Sequence, residues 1–306
     1  MKPPRRGETR RRCGLAVIGG SGLYCMPDIT NPEEVRIKTP FGPTSAPILL
    51  GSISSTPCAF LARHGRGHVL LPSEVNSRAN IWALKSLGVE RIISISAVGS
   101  LKEELAPRDF VFPDQLVDET KGRCSTFFGA GLVAHVAFDH PFCARQSQLL
   151  YRHAQGLGLR CHQGGTLVCM EGPAFSTRAE SEYHRRMGYA IIGMTALPEA
   201  KLAREAEICY SSVSLVTDYD CWKDGEEVSS SQVLENLSVN VTNAQRLIAR
   251  ALAELAALPR DCRCAAALSA AIFTNPEHID RRTARRLGPI VAKRLKIRLQ
   301  DAHENA

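Results

Sequence analysis

Thr217-Asp218-Tyr219-Asp220-Cys221-Trp222 carries the strongest chemical signal in the chain. It follows Cys209 to Val216, an unbroken run of apolar and small residues that reads as a buried strand. Two carboxylates therefore leave one strand end together. In an α/β chain the carboxyl ends of strands are where ligands bind. Two acids two residues apart can address neighbouring atoms of one small planar molecule. The plainer reading of such a pair is a helix cap or a solvated turn, so the rest of the chain must decide.

Four further segments suit an anion, and each ends a predicted strand. Gly19-Gly20-Ser21-Gly22 offers free amides and the Ser21 hydroxyl. Arg63-His64 pairs a planar guanidinium with an imidazole, a combination fitted to a phosphate dianion. Ser96-Ala97 adds a hydroxyl and a backbone amide, and Met194-Thr195 adds a hydroxyl beside a soft thioether. Singly, these are a tight turn, an ion-paired arginine and two ordinary loops. Their common position at strand ends points to one convergent anion site.

The elements that must hold them alternate. Strands are predicted at Leu15–Ile18, Cys58–Ala62, Arg91–Ser96, Thr166–Met170, Ala190–Gly193 and Cys209–Val216. Helices are predicted at Asn76–Leu87 with Gly88 as stop, Ala144–Leu157, from Thr177 to near Gly188, from Pro198, and Ser231–Ala257. Thr177-Arg178-Ala179-Glu180 is a capping box. This order implies an α/β sheet in one domain. Residues 1–13 read as a basic tail, 14–265 as the domain, and 266–306 as a basic C-terminal extension.

Composition excludes several classes. No apolar run reaches the roughly 20 residues needed to span a bilayer, and the basic start is followed by a short Gly-broken strand, not a signal-peptide core; a cytoplasmic location is expected. The net charge is +7, but it sits in the tails. Residues 1–12 carry six basic side chains against one acid and residues 277–306 eight against four, which leaves a slightly acidic body. A nucleic-acid partner therefore has no footprint on the body. The eleven cysteines are scattered. Cys262-Arg263-Cys264 has no second Cys/His pair at finger-like spacing, so no metal site is expected and the cysteines read as plain thiols. A dinucleotide loop at Gly19–Gly22 is disfavoured because Leu23-Tyr24-Cys25 follows where the fingerprint needs a further glycine.

Taken in order, Gly19-Gly20-Ser21-Gly22-Leu23, Thr39-Pro40-Phe41-Gly42, Arg63-His64-Gly65-Arg66, Ala79-Asn80-Ile81-Trp82-Ala83-Leu84 and Ala97-Val98-Gly99-Ser100-Leu101 resemble the 5′-methylthioadenosine phosphorylase family. Glu171-Gly172-Pro173, Met194-Thr195, Pro198-Glu199 and Asp218-Tyr219-Asp220-Cys221-Trp222 extend the match, which runs from about Gly14 to Ala257. The resemblance implies a single α/β domain around a mixed, partly closed sheet flanked by helices, assembled as a homotrimer or a dimer of trimers. It implies phosphate held by Ser21, Arg63, His64, Ser96, Ala97 and Thr195. Met194 would lie against the ribose, Phe175, Ser176 and Tyr219 would line the nucleoside, and His135 would complete a neighbouring subunit's pocket. Asp218 would face purine N7 and Asp220 the exocyclic amine. Ser230 would stand where some relatives carry a valine against the methylthio group.

The implied reaction cleaves 5′-methylthioadenosine with phosphate to adenine and 5-methylthioribose 1-phosphate, with inorganic phosphate as co-substrate and no cofactor. The residues agree with it. Phosphorolysis needs an in-line anion, a stabilised ribosyl cation and a neutralised leaving base. A carboxyl of raised pKa can supply N7 with a proton, and an ionised Asp220 would accept from a 6-amino group but repel a 6-oxo group. A broader nucleoside phosphorylase, acting on adenosine or 6-oxopurine nucleosides, is the alternative within the same chemistry.

Overall fold

A computed structural model describes residues 13–20, 26, 28–225 and 230–295; Ser21 and the side chain of Ser230 lie outside the described residues. The chain opens with β1 (Leu15–Gly19), β2 (Thr30–Val35), β3 (Ile48–Ile53), β4 (Thr56–Ala62) and α1 (Ser77–Ser86). Next come β5 (Arg91–Ser100), β6 (Phe110–Phe112), β7 (Gln115–Glu119), α2 (Ala144–Gly156), β8 (Cys161–Gln163) and β9 (Thr166–Met170). Then follow α3 (Arg178–Arg186), β10 (Ile191–Gly193), α4 (Glu199–Glu205), β11 (Cys209–Asp218), α5 (Ser230–Ala257), α6 (Arg281–Leu287) and α7 (Ala292–Leu295).

The local signals act as their chemistry dictates. Asn76 caps α1 by accepting the Ala79 amide at 3.1 Å, and Gly88 takes φ +87° just past the helix end. Both bonds of the Thr177–Glu180 capping box form. β2 escapes prediction because it is a polar, exposed edge strand carrying Pro32, Glu33 and Glu34, which is how edges are kept from pairing with other chains. β5 runs past Ser96 to Ser100 because both of its sides are paired there, by β11 and by β10.

All the strands join one mixed, eleven-stranded sheet that forks at β5. One path runs β2-β3-β4-β1-β5-β10-β9-β7, and the other leaves β5 through β11 to β6 and β8. β1, β4, β5 and β11 are mutually parallel neighbours, so their carboxyl ends open toward one side. β1 is buried on both faces, as expected for a central parallel strand. Leu15 and Val17 face a layer built by Leu149 and Leu150 of α2 and Leu247, Ile248 and Ala251 of α5. Ala16 and Ile18 face the opposite layer, with Ile81 and Leu84 of α1 and Leu202 of α4. Residues after 265 add Leu268, Ala271, Leu287, Ile290 and Val291 to that second layer, and Trp82 donates its indole N–H to Leu287 O at 3.2 Å.

Candidate active site

β11 pairs with β5 in register up to Val216, opposite Val98; the next pair is Asp218 with Gly99. Thr217 is thus the extra residue of a β-bulge, a device that re-aims side chains at a strand end. It turns Asp218 over Gly99, where a Cβ would come within 3.0 Å of Asp218 Oδ1. A glycine at 99 therefore makes room for the carboxylate. Asp220 follows with φ +51°, a left-handed conformation uncommon outside glycine, which folds the second carboxylate back toward the first. Its amide donates to Asp218 Oδ1 at 2.8 Å.

The two acids differ. Burial pushes the Asp218 carboxyl up, the Thr217 hydroxyl and the Asp220 amide oppose the rise, and the Asp220 charge adds to it. Thr217 Oγ1 stands 2.7 Å from Asp218 Oδ2 and 3.2 Å from Val98 O. A hydroxyl has one proton. Thr217 donates to an ionised Asp218, whereas a protonated Asp218 donates to Thr217, which then donates to Val98 O. Both protonation states of Asp218 are satisfied. Asp220 is only 4% exposed, and its Oδ2 is buried with no hydrogen-bond partner among the described residues. Such an acceptor lacks the partner that buried polar groups require.

The turn that carries these acids is locked from outside. Tyr219 is buried, donates its hydroxyl to Glu103 O at 3.4 Å and packs edge-on against Trp222, whose indole N–H reaches Ser100 O at 2.8 Å. The Arg185 guanidinium lies 3.7 Å over the Trp222 ring.

The anion-compatible pieces close or follow β1, β4 and β10 or, for Ser96-Ala97, lie within the last half of β5, which continues to Ser100. Gly19 at the end of β1 lies opposite Ala62 at the end of β4, and the Arg63 amide donates to Gly19 O at 2.9 Å. β10 lies antiparallel to β5, with Ile192 opposite Gly99, so Met194-Thr195 runs back along Ala97-Ser96. The Ser96 and Thr195 side chains are half-buried and Ala97 is exposed. Gly172, at φ +70°, lies so close to Met194 that a Cβ would stand 2.5 Å from its sulfur.

Arg63 is held more firmly than its sequence position suggests. It is 1% exposed and forms a fork with Glu199: Nε to Oε2 at 3.1 Å and Nη2 to Oε1 at 3.1 Å. Ser94 and Tyr210 also donate to Glu199 Oε1, at 2.9 and 2.8 Å, and Arg63 Nη1 donates to Ile95 O at 3.0 Å. Burial works against the guanidinium charge, but Glu199 more than offsets it. Only Nη1 keeps an N–H without a protein acceptor among the described residues, so Arg63 can offer an anion one donor and a fixed charge rather than its whole fork.

His64 is also fixed. Its Nδ1 lies 2.9 Å from Leu70 O; a carbonyl only accepts, so Nδ1 bears the proton and Nε2 is the acceptor. Burial, then the Arg63 charge, lower its pKa to about 4 from the ordinary 6.5. The folded protein therefore refuses a proton that the unfolded chain accepts. The stability contributed by neutral His64 is complete above about pH 6.5 and is lost as pH falls toward about 4. The His64 Hε1 resonance, assigned by difference with His64→Gln, is expected to stay fixed as pH falls from about 8 to about 5.5. Movement centred near pH 6.5 would refute the assignment.

Two groups without a predicted role support the site. Glu199 appears in the sequence only as an acid in the first turn of a charged helix, and its burial beside Arg63 depends on contacts from Arg63, Ser94 and Tyr210. Arg123 donates Nε to Glu171 Oε2 at 2.9 Å, and its Nη1 to Met194 O at 2.7 Å and Leu197 O at 2.8 Å. It thereby pins the Met194-Thr195 turn; nothing in the residues around 123 signals this. Among the predicted residues, Ser176 accepts the Cys221 thiol at its carbonyl, 3.2 Å away, and so adjoins the Asp turn. Phe175 is 58% exposed. His135 stands apart from the strand ends: its contacts are with the C-terminal segment, through Ala271 O at 2.8 Å and the Phe273 ring at 5.0 Å.

A sheet forked at a central strand, with paired acids and anion donors at its carboxyl ends, defines a nucleoside-phosphorylase-like enzyme, and the chain belongs to the phosphorylase superfamily, whose family model matches residues 15–253. Within it, the chain is 54% identical over 285 residues to S-methyl-5′-thioadenosine phosphorylase of Chloroflexus aurantiacus, covering 91% of this chain and 97% of that one. It is 52% identical to the enzyme of the same name from Gloeobacter violaceus, covering 91% and 95%. The crystal structure of a methylthioadenosine phosphorylase from an Antarctic soil metagenomic library superposes with a TM-score of 0.88 at 48% identity, covering 92% of this chain and 99% of that one. The Schistosoma mansoni methylthioadenosine phosphorylase in complex with adenine superposes at 0.80 with 37% identity, covering 85% and 97%.

Proposed function

We propose that the chain cleaves 5′-methylthioadenosine with inorganic phosphate, giving adenine and 5-methylthioribose 1-phosphate. The observation that carries this reading is the bulged end of β11, which sets a carboxyl of raised pKa beside a second carboxylate with a buried, unpartnered oxygen. Asp218 hands a proton to purine N7 as the glycosidic bond breaks, and the Thr217 hydroxyl reorients to satisfy the carboxylate that remains. Asp220 Oδ2 accepts from the 6-amino group. Ser96, Thr195 and the Ala97 amide donate to the phosphate on the opposite side of the ribose, His64 Nε2 accepts from a phosphate hydroxyl, and Ser21 is assigned to the same anion. The charged Arg63–Glu199 pair keeps that pocket rigid and supplies Nη1. Met194, seated on Gly172, covers the sugar, and Phe175 and Ser176 border the nucleoside. The chemistry asks for no cofactor. His135 serves a neighbouring copy in a homotrimer or a dimer of trimers, in keeping with its exposed position. Among the described residues no helix is long and apolar enough to cross a membrane, and we place the reaction in the cytoplasm.

Release of adenine from 5′-methylthioadenosine, measured with and without phosphate beside adenosine and inosine, tests the reading. Adenine release that requires phosphate, with inosine inert, supports it; inosine cleaved at a comparable rate moves the assignment to a broad nucleoside phosphorylase. Asp220→Asn is expected to weaken the preference for 6-amino over 6-oxo substrates by about 10²-fold or more, because the amide can donate to a carbonyl where the carboxylate could not. Unchanged kcat/KM ratios across the two substrate classes would remove Asp220 from base recognition.

A further inference from the structure

The fold gathers four cysteines that the linear sequence keeps apart. Cys143 immediately precedes α2 and its amide donates to Tyr210 O at 2.8 Å. Cys209 opens β11, with its amide on Glu90 O at 2.9 Å. Cys262 and Cys264 belong to the short turn of 3₁₀ helix after α5. Their four sulfur atoms all lie within 4.8 Å of one another, and Cys209 and Cys262 Sγ are 3.4 Å apart. Cys143, Cys209 and Cys264 are buried, while Cys262 is half-buried and open to entry from solvent. The C-x-C pair thus has the second pair that its spacing alone does not reveal.

We propose that Cys143, Cys209, Cys262 and Cys264 form a structural zinc site. Sulfur ligands at 2.3 Å from a tetrahedral ion stand about 3.8 Å apart, which matches the size of the quartet. Metal–sulfide clusters would hold their thiolates farther apart than a single ion does. A purely sulfur donor set with buried surroundings selects zinc over hard cations such as magnesium or calcium. Binding replaces four S–H protons by one Zn²⁺, releases the protons to solvent, and leaves a local charge of −2. Two guanidinium groups balance it. Arg91 Nη1 lies 3.8 Å from Cys209 Sγ. Arg260, two residues before Cys262, pairs with Glu90 at 2.8 Å and keeps a buried Nε with no hydrogen-bond partner among the described residues. Donors near the sulfurs are what thiolate sites use to hold their charge.

The site would fasten the chain after α5 to the starts of α2 and β11. The segment so anchored carries Leu268, Ala271 and Phe273, the residues against which the second layer and His135 pack. The metal has no part in the reaction, and the proposal does not depend on the assigned substrate.

The test is elemental analysis of the full-length protein, purified without metal-affinity steps from cells grown with zinc. About one zinc per chain is expected, falling below about a tenth in Cys209→Ser and Cys264→Ser. Those variants should keep wild-type kcat and unfold at lower temperature. Exchange of the wild-type ion for Co²⁺ guards against variants that do not fold: it should give the visible bands and near-ultraviolet charge transfer of tetrahedral tetrathiolate cobalt. Intact mass after denaturation, chelation and alkylation without reductant should show all eleven thiols modified, the quartet among them. Absence of zinc and of the cobalt spectrum overturns the proposal, whether the four sulfurs are free thiols or have lost mass as disulfides.

Discussion

Asp218→Asn is expected to lower kcat for 5′-methylthioadenosine by about 10²–10⁴-fold, the range for losing a positioned general acid, with KM changed far less. The reasoning begins at the bulge. Asn is nearly isosteric, accepts the Asp220 amide at one atom, and leaves the backbone at Thr217 and Gly99 undisturbed. What it removes is a proton that can move. Because that proton matters only as the base departs, the loss falls on the transition state and not on the bound nucleoside. Single-turnover kinetics separate the two: a slowed chemical step with an unaltered substrate Kd fits, and a raised Kd with an unaltered chemical step would assign Asp218 to binding alone. A substrate with a more acidic leaving group should recover much of the lost rate, since it needs less protonation.

Glu199→Gln is expected to cost about 3–5 kcal/mol of stability, because it leaves the Arg63 charge buried without its counter-ion. The side chains of the pair are 2% and 1% exposed, so solvent cannot compensate. Denaturant unfolding measures the loss as a shift in midpoint at unchanged slope. The double variant Arg63→Met/Glu199→Leu distinguishes two roles of the same pair. It removes both charges and fills similar volume, so much of the stability should return, while the KM for phosphate should remain raised. Recovery of both would make the pair purely structural.

Much of this site was legible in the residues, and for identifiable reasons. Asp218 and Asp220, Arg63-His64 and Met194-Thr195 each close or follow a strongly apolar strand, so their position at strand ends followed from local pattern alone, whereas Ser96-Ala97, expected at a strand end, lies inside β5, which continues to Ser100. The same logic named the glycine stop at Gly88 and the capping box at Thr177. What stayed hidden depends on distant contacts. Glu199 is 136 residues from Arg63, and no spacing announces that the two will meet. Nothing local marks Thr217 as a bulge either; only the register with β5 does. Cys143 and Cys209 are 66 residues apart in sequence, and each alone reads as a small apolar residue. The C-terminal residues read as a basic extension because their charges are frequent, yet Leu268, Ala271, Leu287, Ile290 and Val291 enter the core between them. Tyr219, grouped with the substrate by its neighbours in the motif, has bracing contacts that no local pattern announces, with Glu103 O and the Trp222 ring.

The bond from Trp82 to Leu287 spans 205 residues, and that interval is also a time. At about 5–20 residues per second, a ribosome needs roughly 10–40 s to pass from one partner to the other. Throughout it, α1 has been made but the segment that covers its indole has not. The nascent chain thus leaves the Trp82 side of α1 uncovered for about that time, until the segment around Leu287 arrives to close it.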